Sequence, residues 1–390
     1  TEVIKVITGV RRCGKSCLME TVRGELLQNG VAYENIIYLD LDSRKYRKIK
    51  TADELETLID SFASVKGTKY LFVDEIQNVK DFEEVINAFR DDGEYSIFIT
   101  GSNSYLLSGE LATKLTGRYV EFELFPLSFD EYLDMKAFYG KSIDANLIIE
   151  LNNYLQEGGF PKAMQYNSFA DKRTYVKSVI DEIFEKDIKK RLKVRNVEAF
   201  NNVRNFIINN FGATVSIKSL QEALAKNGIE IKRPTLSRYV EALVQSKILY
   251  QCDRFDMKSK KSFAGEKKYY LADTSFYFSM NTDNRINYGP ALENIVYVYA
   301  RSIDYAVSVG RIGKLECDFI LRDNELNYSY VQVAYTINES KMTEDREYAP
   351  LEMIKDNYPK YVMTCDYLLQ KRNGIRHANI LEFIMKKEKF

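Results

Sequence analysis

The chain is poor in the residues that build the commoner catalytic and metal sites. Histidine occurs once, as His377, and the five cysteines (Cys13, Cys17, Cys252, Cys317, Cys365) are scattered without a CxxC pair. Zinc sites built on Cys and His, and triad-type nucleophilic catalysis, therefore find no support. An odd and unpaired cysteine set suits a reducing compartment. Cys13 and Cys17, in a loop-to-helix context, read as small packing residues. Net charge is missing too: Lys+Arg and Asp+Glu balance at 56 each, so any nucleic-acid surface has to be a local patch. No apolar run reaches the ~18 residues needed to span a bilayer, and no secretory signal precedes the first strand. The expected location is cytoplasmic, without a membrane partner.

What is present is length and pattern. The 390 residues, 45% apolar and 29% charged, suffice for two or three domains with real cores. Residues 1–125 alternate strands ("VIKVIT", "IIYLDL", "YLFVD", "YSIFIT", "YVEFEL") with amphipathic stretches such as "ADELETLIDSFASV" and "FEEVINAFRDD". Nearly continuous apolar strands in that alternation predict an α/β fold whose parallel sheet is covered on both faces. Residues 126–210 read as a helical segment broken by "EGGFP". Residues 211–272 read as helix, turn, helix and hairpin, a winged helix-turn-helix. Residues 273–390 read as an α+β region.

The first strand runs into "ITGVRRCGKSC". Gly9, Val10, Arg11, Arg12, Cys13, Gly14, Lys15 and Ser16 fit the phosphate-loop pattern, with Cys17 next in the helix that follows. In such a loop successive backbone N–H groups and the helix N-terminus face phosphates. Lys15 would pair with β/γ oxygens, and the Ser16 hydroxyl would ligate Mg2+. ATP and Mg2+ are the implied cofactors. "YLFVDEIQ" ends a second strand in adjacent carboxylates. Asp74 could hold the metal through water, and Glu75 could polarise an attacking water. Burying such a pair is costly unless a cation neutralises it.

"YSIFIT" then delivers Gly101-Ser102-Asn103. Ser102 or Asn103 could bond the γ-phosphate or the lytic water, or simply cap the next helix. Arg118, in "LTGRYVEF", could neutralise transition-state charge in its own subunit or across a subunit boundary; a surface salt bridge is the plainer alternative.

"ITGVRRCGKS", "YLFVDEIQ", "ITGSNSYLLSGELATKLTGRYVEFELFPLSFDEY" and "EGGFP" together resemble the prokaryotic AAA+-type ATPases of the AAA_14 family, which carry a C-terminal domain of the DUF4143 type. The likeness covers essentially the whole chain, and "GRY…PLSFDEY" is its most diagnostic part. It implies an additional-strand P-loop ATPase core, a helical segment, a winged helix and a nuclease-like terminal fold. Lys15, Ser16, Asp74 and Glu75 match the family motif. Eight residues precede Gly9, whereas members of that family start earlier, with a segment expected near the base; base specificity stays open.

In the winged-helix reading, "RPTLSRYVEALVQSK" is the recognition helix, with Arg233, Thr235, Ser237 and Arg238 toward its N-terminal end. Lys258, Lys260, Lys261, Lys267 and Lys268 would form a basic wing able to bind phosphates without reading sequence. Duplex DNA is the expected partner. A protein partner bound through the same fold is the alternative, and an oligomer is open. Further on, Glu293, Asp318 and the strand "YVQVAY" parallel a restriction-endonuclease-like pattern, whose carboxylates hold Mg2+ and whose lysine orients water. Gln332 and Ala334 stand where Glu and Lys belong, with Lys341 a candidate substitute. The site therefore reads as degenerate, a retained fold rather than an active nuclease.

The combined expectation is Mg2+-dependent ATP binding and hydrolysis coupled to domain rearrangement on DNA. The alternatives are a nucleotide-sensing protein-interaction scaffold and a Mg2+-dependent DNA nuclease.

Overall fold

Five apolar runs become the strands of one parallel sheet: β1 (Ile4–Thr8), β2 (Ile36–Asp40), β3 (Lys69–Asp74), β4 (Tyr95–Thr100) and β5 (Tyr119–Glu123), in the order β2-β3-β4-β1-β5. The computed structural model describes residues 3–62, 66–101, 115, 117–257, 261–281 and 285–390, with the backbone alone described at 190 and 261–265. The strands are apolar on both sides because both faces are covered. Ile7, Ile36 and Phe72 pack under Met19 of helix α1 (Lys15–Gln28). Leu71, Val73, Ile97 and Ile99 belong to a second cluster with α2 (Ala52–Asp60) and α3 (Phe82–Asp91). Each such side chain, fully buried, contributes roughly 1.5–3 kcal/mol. A Thr51–Glu54 capping box starts α2, with Glu54 N–H on Thr51 Oγ1 at 3.4 Å and Thr51 N–H on Glu54 Oε2 at 3.2 Å. From β1 the chain crosses to β2 on one flank, and from β4 it crosses to β5 on the other. The crevice for a ligand therefore opens beyond the carboxyl ends of these strands.

This sheet belongs to one compact unit, Thr1–Leu124 with Gln245–Lys247; the second is Phe125–Val244 with Ile248–Phe390. The second unit begins with the helices Phe129–Phe138, Leu147–Glu157, Phe169–Ile183 and Val197–Asn209. Their starts follow from local chemistry: Asn146, Ser168 and Asn196 accept the backbone N–H of Ile148, Asp171 and Ala199 at 3.0, 3.0 and 2.9 Å. "EGGFP" is a close backbone crossing. Gly159 O accepts the Leu127 N–H at 2.8 Å, and its own N–H donates to buried Asp273 at 2.7 Å. Gly158 takes φ +78°, a left-handed conformation suited to glycine.

Two further helices, Ile217–Lys226 and Arg233–Gln245, precede a hairpin of β7 (Leu249–Asp256) and β8 (Lys261–Leu271). The hairpin does not stand free as a wing. Its β8 pairs with β6 (Thr214–Val215), and its β7 pairs in parallel with β9 (Ala306–Ile312). The sheet continues through β10 (Leu315–Arg322), β11 (Tyr328–Val333), β12 (Lys360–Thr364), β14 (Ile375–Asn379) and β13 (Lys371–Arg372), nine strands in all. Stretches 211–272 and 273–390 thus share one mixed sheet. The lone His377 is buried in β14. Its Nδ1 accepts the Gln370 N–H at 3.1 Å, which leaves Nε2–H to donate to Thr364 Oγ1 at 2.7 Å. Burial pushes its pKa down, so it is a neutral structural residue. Among the described residues no helix is long and apolar enough to cross a membrane.

Candidate functional site

The loop after β1 is shaped by positive φ angles at Gly9 (138°), Arg12 (70°) and Gly14 (115°). Gly9 admits no side chain: a Cβ there would lie 2.1 Å from Leu124 O. Val10 and Cys13 are buried beneath the loop, whereas Arg12, Ser16 and Cys17 are exposed and Arg11, Gly14 and Lys15 half-buried. The packing expectation therefore holds for Cys13, whose thiol burial pushes up in pKa, and is corrected for Cys17, which opens onto solvent in the first turn of α1. Gly14 is the N-cap of α1 and offers no capping side chain, and the first turn carries no acidic residue. Its leading N–H groups and the positive end of the dipole are left for an anion. The Lys15 ammonium folds over the loop onto Gly9 O at 2.9 Å and Val10 O at 3.2 Å. A glycine-walled turn, an uncapped helix N-terminus and an ammonium resting on two carbonyls fit a polyphosphate.

Asp74 ends β3, one strand beyond β4 from the loop-bearing β1, about 10 Å across the sheet. It is 5% exposed. Thr100, at the end of β4 and fully buried, donates its hydroxyl to Asp74 Oδ1 and accepts the Glu75 N–H at 3.3 Å. This threonine lies in register with Ile7 of β1, so it ties both carboxylate residues to the strand that carries the loop. The sequence reading passed over Thr100 as the last letter of an apolar run. Its role carries no signal in the sequence, because it depends on β4 lying between β1 and β3. Glu75 has φ 56°, a left-handed conformation uncommon for a non-glycine residue and found preferentially at functional sites. Gln77 Nε2 donates to its carboxylate. Ser102 and Asn103 lie outside the described residues.

Arg118 is at the wrong end of the sheet for its own cradle. Its carbonyl accepts the Ile4 N–H at 2.9 Å where β1 and β5 begin. The two strands then run parallel for five residues before the loop, about 17 Å. This placement argues against action within its own subunit and is compatible with a role across a subunit boundary or with a surface salt bridge. On the β5 side, Glu123 accepts from Lys247 Nζ at 2.6 Å. No motif marked that pair.

In the second unit, Arg233, Ser237 and Arg238 are exposed and Thr235 half-buried on the helix that begins at Arg233. Arg233 Nε donates to Gln221 Oε1 at 2.9 Å. Lys258 and Lys260 lie outside the described residues, and for Lys261 only the backbone in β8 is described. Lys267 is 3.5 Å from Asp253. Lys268 corrects the basic-wing expectation. It alternates with Tyr270 toward the covered face of β8, is buried, and contacts Glu293 Oε2 at 3.0 Å and Glu316 Oε1 at 2.9 Å.

Glu293, Asp318 and Gln332 do converge. Tyr270 OH donates to Glu293 Oε2 at 2.9 Å, Val333 N–H to Asp318 Oδ2 at 2.8 Å, and Asp318 N–H to Gln332 Oε1 at 3.3 Å. Gln332 Nε2 then reaches Glu347 Oε2, on the helix Lys341–Met353, at 3.0 Å. Lys341 does not substitute for the missing lysine: its side chain is 70% exposed and pairs with Glu344 and Asp345. Burial and the Glu293 charge push the Asp318 pKa well up, against the pull of Lys268 and the Val333 N–H. Burial would lower the Lys268 pKa, but Glu293, Asp318 and Glu316 together raise it.

Residues 1–133 match the AAA domain model of the AAA_14 family, and residues 148–285 match a domain of unknown function, DUF8612. The second match corrects the DUF4143-type expectation. An uncharacterised protein of Haemophilus influenzae is 34% identical over 390 residues, covering 99% of this chain and 95% of that one. An uncharacterised protein of Methanocaldococcus jannaschii is 32% identical over 363 residues, covering 90% and 79% respectively. The chain belongs to one protein family with these two relatives, and its residues 1–133 carry an AAA domain, whose fold implies nucleotide binding. Among solved structures it is similar to a Walker-type ATPase of Pyrococcus abyssi (16% identity, 72% of this chain and 91% of that one, TM-score 0.49). It is also similar to the Aeropyrum pernix ORC1 protein, solved in complex with DNA (13% identity, 72% and 87%, TM-score 0.30).

Proposed function

We propose that this chain hydrolyses ATP with Mg2+ at the loop after β1 and couples turnover to a domain rearrangement on duplex DNA. The observation that carries hydrolysis, beyond binding, is the bridge from Thr100, on the strand next to the loop strand, that fixes Asp74 and left-handed Glu75. ATP supplies the phosphoanhydride and Mg2+ the charge that polarises it. Backbone N–H groups from Gly9 to Ser16 and the α1 N-terminus receive phosphate oxygens, and Lys15 exchanges its two carbonyls for them. The Ser16 hydroxyl and Asp74 would hold the metal. Glu75 accepts a proton from water, oriented by Gln77, and Arg118 acts from a neighbouring subunit. Residues 1–125 are then the motor and 126–210 a helical segment, while the helix pair of 211–272 and the α+β region of 273–390 are joined through their common sheet.

Replacing Glu75 by glycine separates function from fold. Glu75→Gly relieves a left-handed side chain, worth about 1–2 kcal/mol, against ~0.5–1 kcal/mol of added chain entropy. Urea denaturation is expected to show stability unchanged or raised by up to about 1 kcal/mol. Turnover is expected to fall about 10²–10⁴-fold. Loss of stability instead would mark Glu75 as structural.

The DNA reading is supported by the exposed Arg233, Ser237 and Arg238. ATP turnover measured with and without duplex DNA across a salt series tests it. Stimulation that fades with salt, and fades further in Arg233→Ala/Arg238→Ala, is expected; indifference to DNA would favour the protein-interaction scaffold.

A further inference from the structure

The polar cluster of the second unit contains its own cation. Glu293 comes from the helix Tyr288–Ser302, Glu316 and Asp318 from β10, and Lys268 from β8. The Lys268 side chain, 6% exposed, touches the first two at 3.0 and 2.9 Å. Around this centre other groups have partners of their own. Glu316 Oε2 accepts Arg254 Nη2 at 2.8 Å, Asp318 Oδ2 accepts the Val333 N–H, and Gln332 is spent between the Asp318 N–H and Glu347. Glu347 in turn accepts from Arg346 at 2.7 Å. Asp318 is buried and Glu293 and Glu316 are half-buried, and carboxylates gathered with so little water are stabilised by a cation among them. Among the described residues no group of three or more His, Cys, Asp or Glu is arranged to hold a metal ion.

We infer that Lys268 is a built-in counter-ion, standing where a divalent cation would otherwise bridge Glu293, Glu316 and Asp318, and that it keeps this cluster closed and metal-free. The ammonium arrives from β8, a strand outside the helix and strand pair that bear the carboxylates. Loss of the lysine expected after Gln332 is thus accompanied by a different lysine occupying the centre itself. The inference is independent of the ATPase reading.

The test compares wild type, Lys268→Ala and Lys268→Met as nucleotide-free chains of all 390 residues, by Mn2+ titration and thermal melting with and without Mn2+. Lys268→Ala removes charge and stem together, so it is expected to melt lower than wild type. It should bind one more Mn2+ per chain than wild type, and regain melting temperature when Mn2+ is added. That extra Mn2+ should vanish in Lys268→Ala/Asp318→Asn. Lys268→Met removes the charge but keeps the stem in place, so it should be destabilised without rescue. The inference is overturned if wild type binds Mn2+ in a manner abolished by Asp318→Asn, or if Lys268→Ala gains no Mn2+. Equal rescue of Lys268→Met would also overturn it, as would failure of Lys268→Ala to fold with Mn2+ present while Lys268→Met folds.

Discussion

Lys15→Ala is expected to lower ATP turnover by at least about 10²-fold, the scale of removing one preorganised charge from a phosphoryl-transfer site, while leaving the fold intact. The two expectations have separate physical origins. The ammonium now rests on the carbonyl oxygens of Gly9 and Val10, and without it the mouth of the loop presents those oxygens to an incoming anion. Repulsion replaces attraction, so binding suffers as well as chemistry. Stability should fall by no more than about 1.5–3 kcal/mol, the range for hydrogen bonds to a charged group, because Lys15 is half-buried and water can satisfy both carbonyls. Turnover and fluorescent-nucleotide binding, measured beside a urea melt, separate the cases. Unchanged turnover would refute the assignment of the loop. A large drop in the urea midpoint would instead make Lys15 a fastener of the turn.

The second large effect is structural and lies in the other unit. Gly159→Ala is expected to destabilise the protein by about 3 kcal/mol or more, the upper range for overpacking. The new Cβ would lie 2.2 Å from Leu127 O and 2.8 Å from Leu127 N, and both are backbone atoms that no rotamer change can move. Gly158→Ala meets Asp273 Oδ1 at 2.0 Å and Ser275 Oγ at 2.5 Å and also carries the φ penalty. Gly140 is the control: its φ is +63°, yet a Cβ there meets nothing within 4 Å, so Gly140→Ala should cost only about 1–2 kcal/mol. Urea midpoints for the three variants test the ranking. If Gly159→Ala proves no worse than Gly140→Ala, the crossing at "EGGFP" is looser than described.

Much of the first unit was legible because its information is local. Strand limits read from apolar runs agree to within one residue with β1 to β5. In the second unit, "PLSFDEY" and "EGGFP" were marked by family resemblance, and their Leu127 and Gly159 meet. What was not legible depends on strand order. Thr100 acquires its role only when β4 lies between β1 and β3, which no run of letters states. Arg118 is the reverse case: it precedes a strand, and in a parallel sheet whose ligand edge is the carboxyl one that position alone argues against service to its own cradle. Lys268 looked like one more charge in a basic hairpin. A two-residue alternation with Tyr270 was the sole hint that it turned inward, and its partners lie 25 and more residues away.

The continuity of the nine-stranded sheet has a practical corollary for anyone dissecting the chain. A fragment begun at residue 273 would forfeit β7 and leave the Arg254-to-Asp256 side of β9 as a raw hydrogen-bonding margin, the kind that recruits a second molecule into insoluble stacks. It would also strand Glu293 and Glu316 without the ammonium they close around. Expression boundaries for this half belong upstream of Thr214, where the sheet starts.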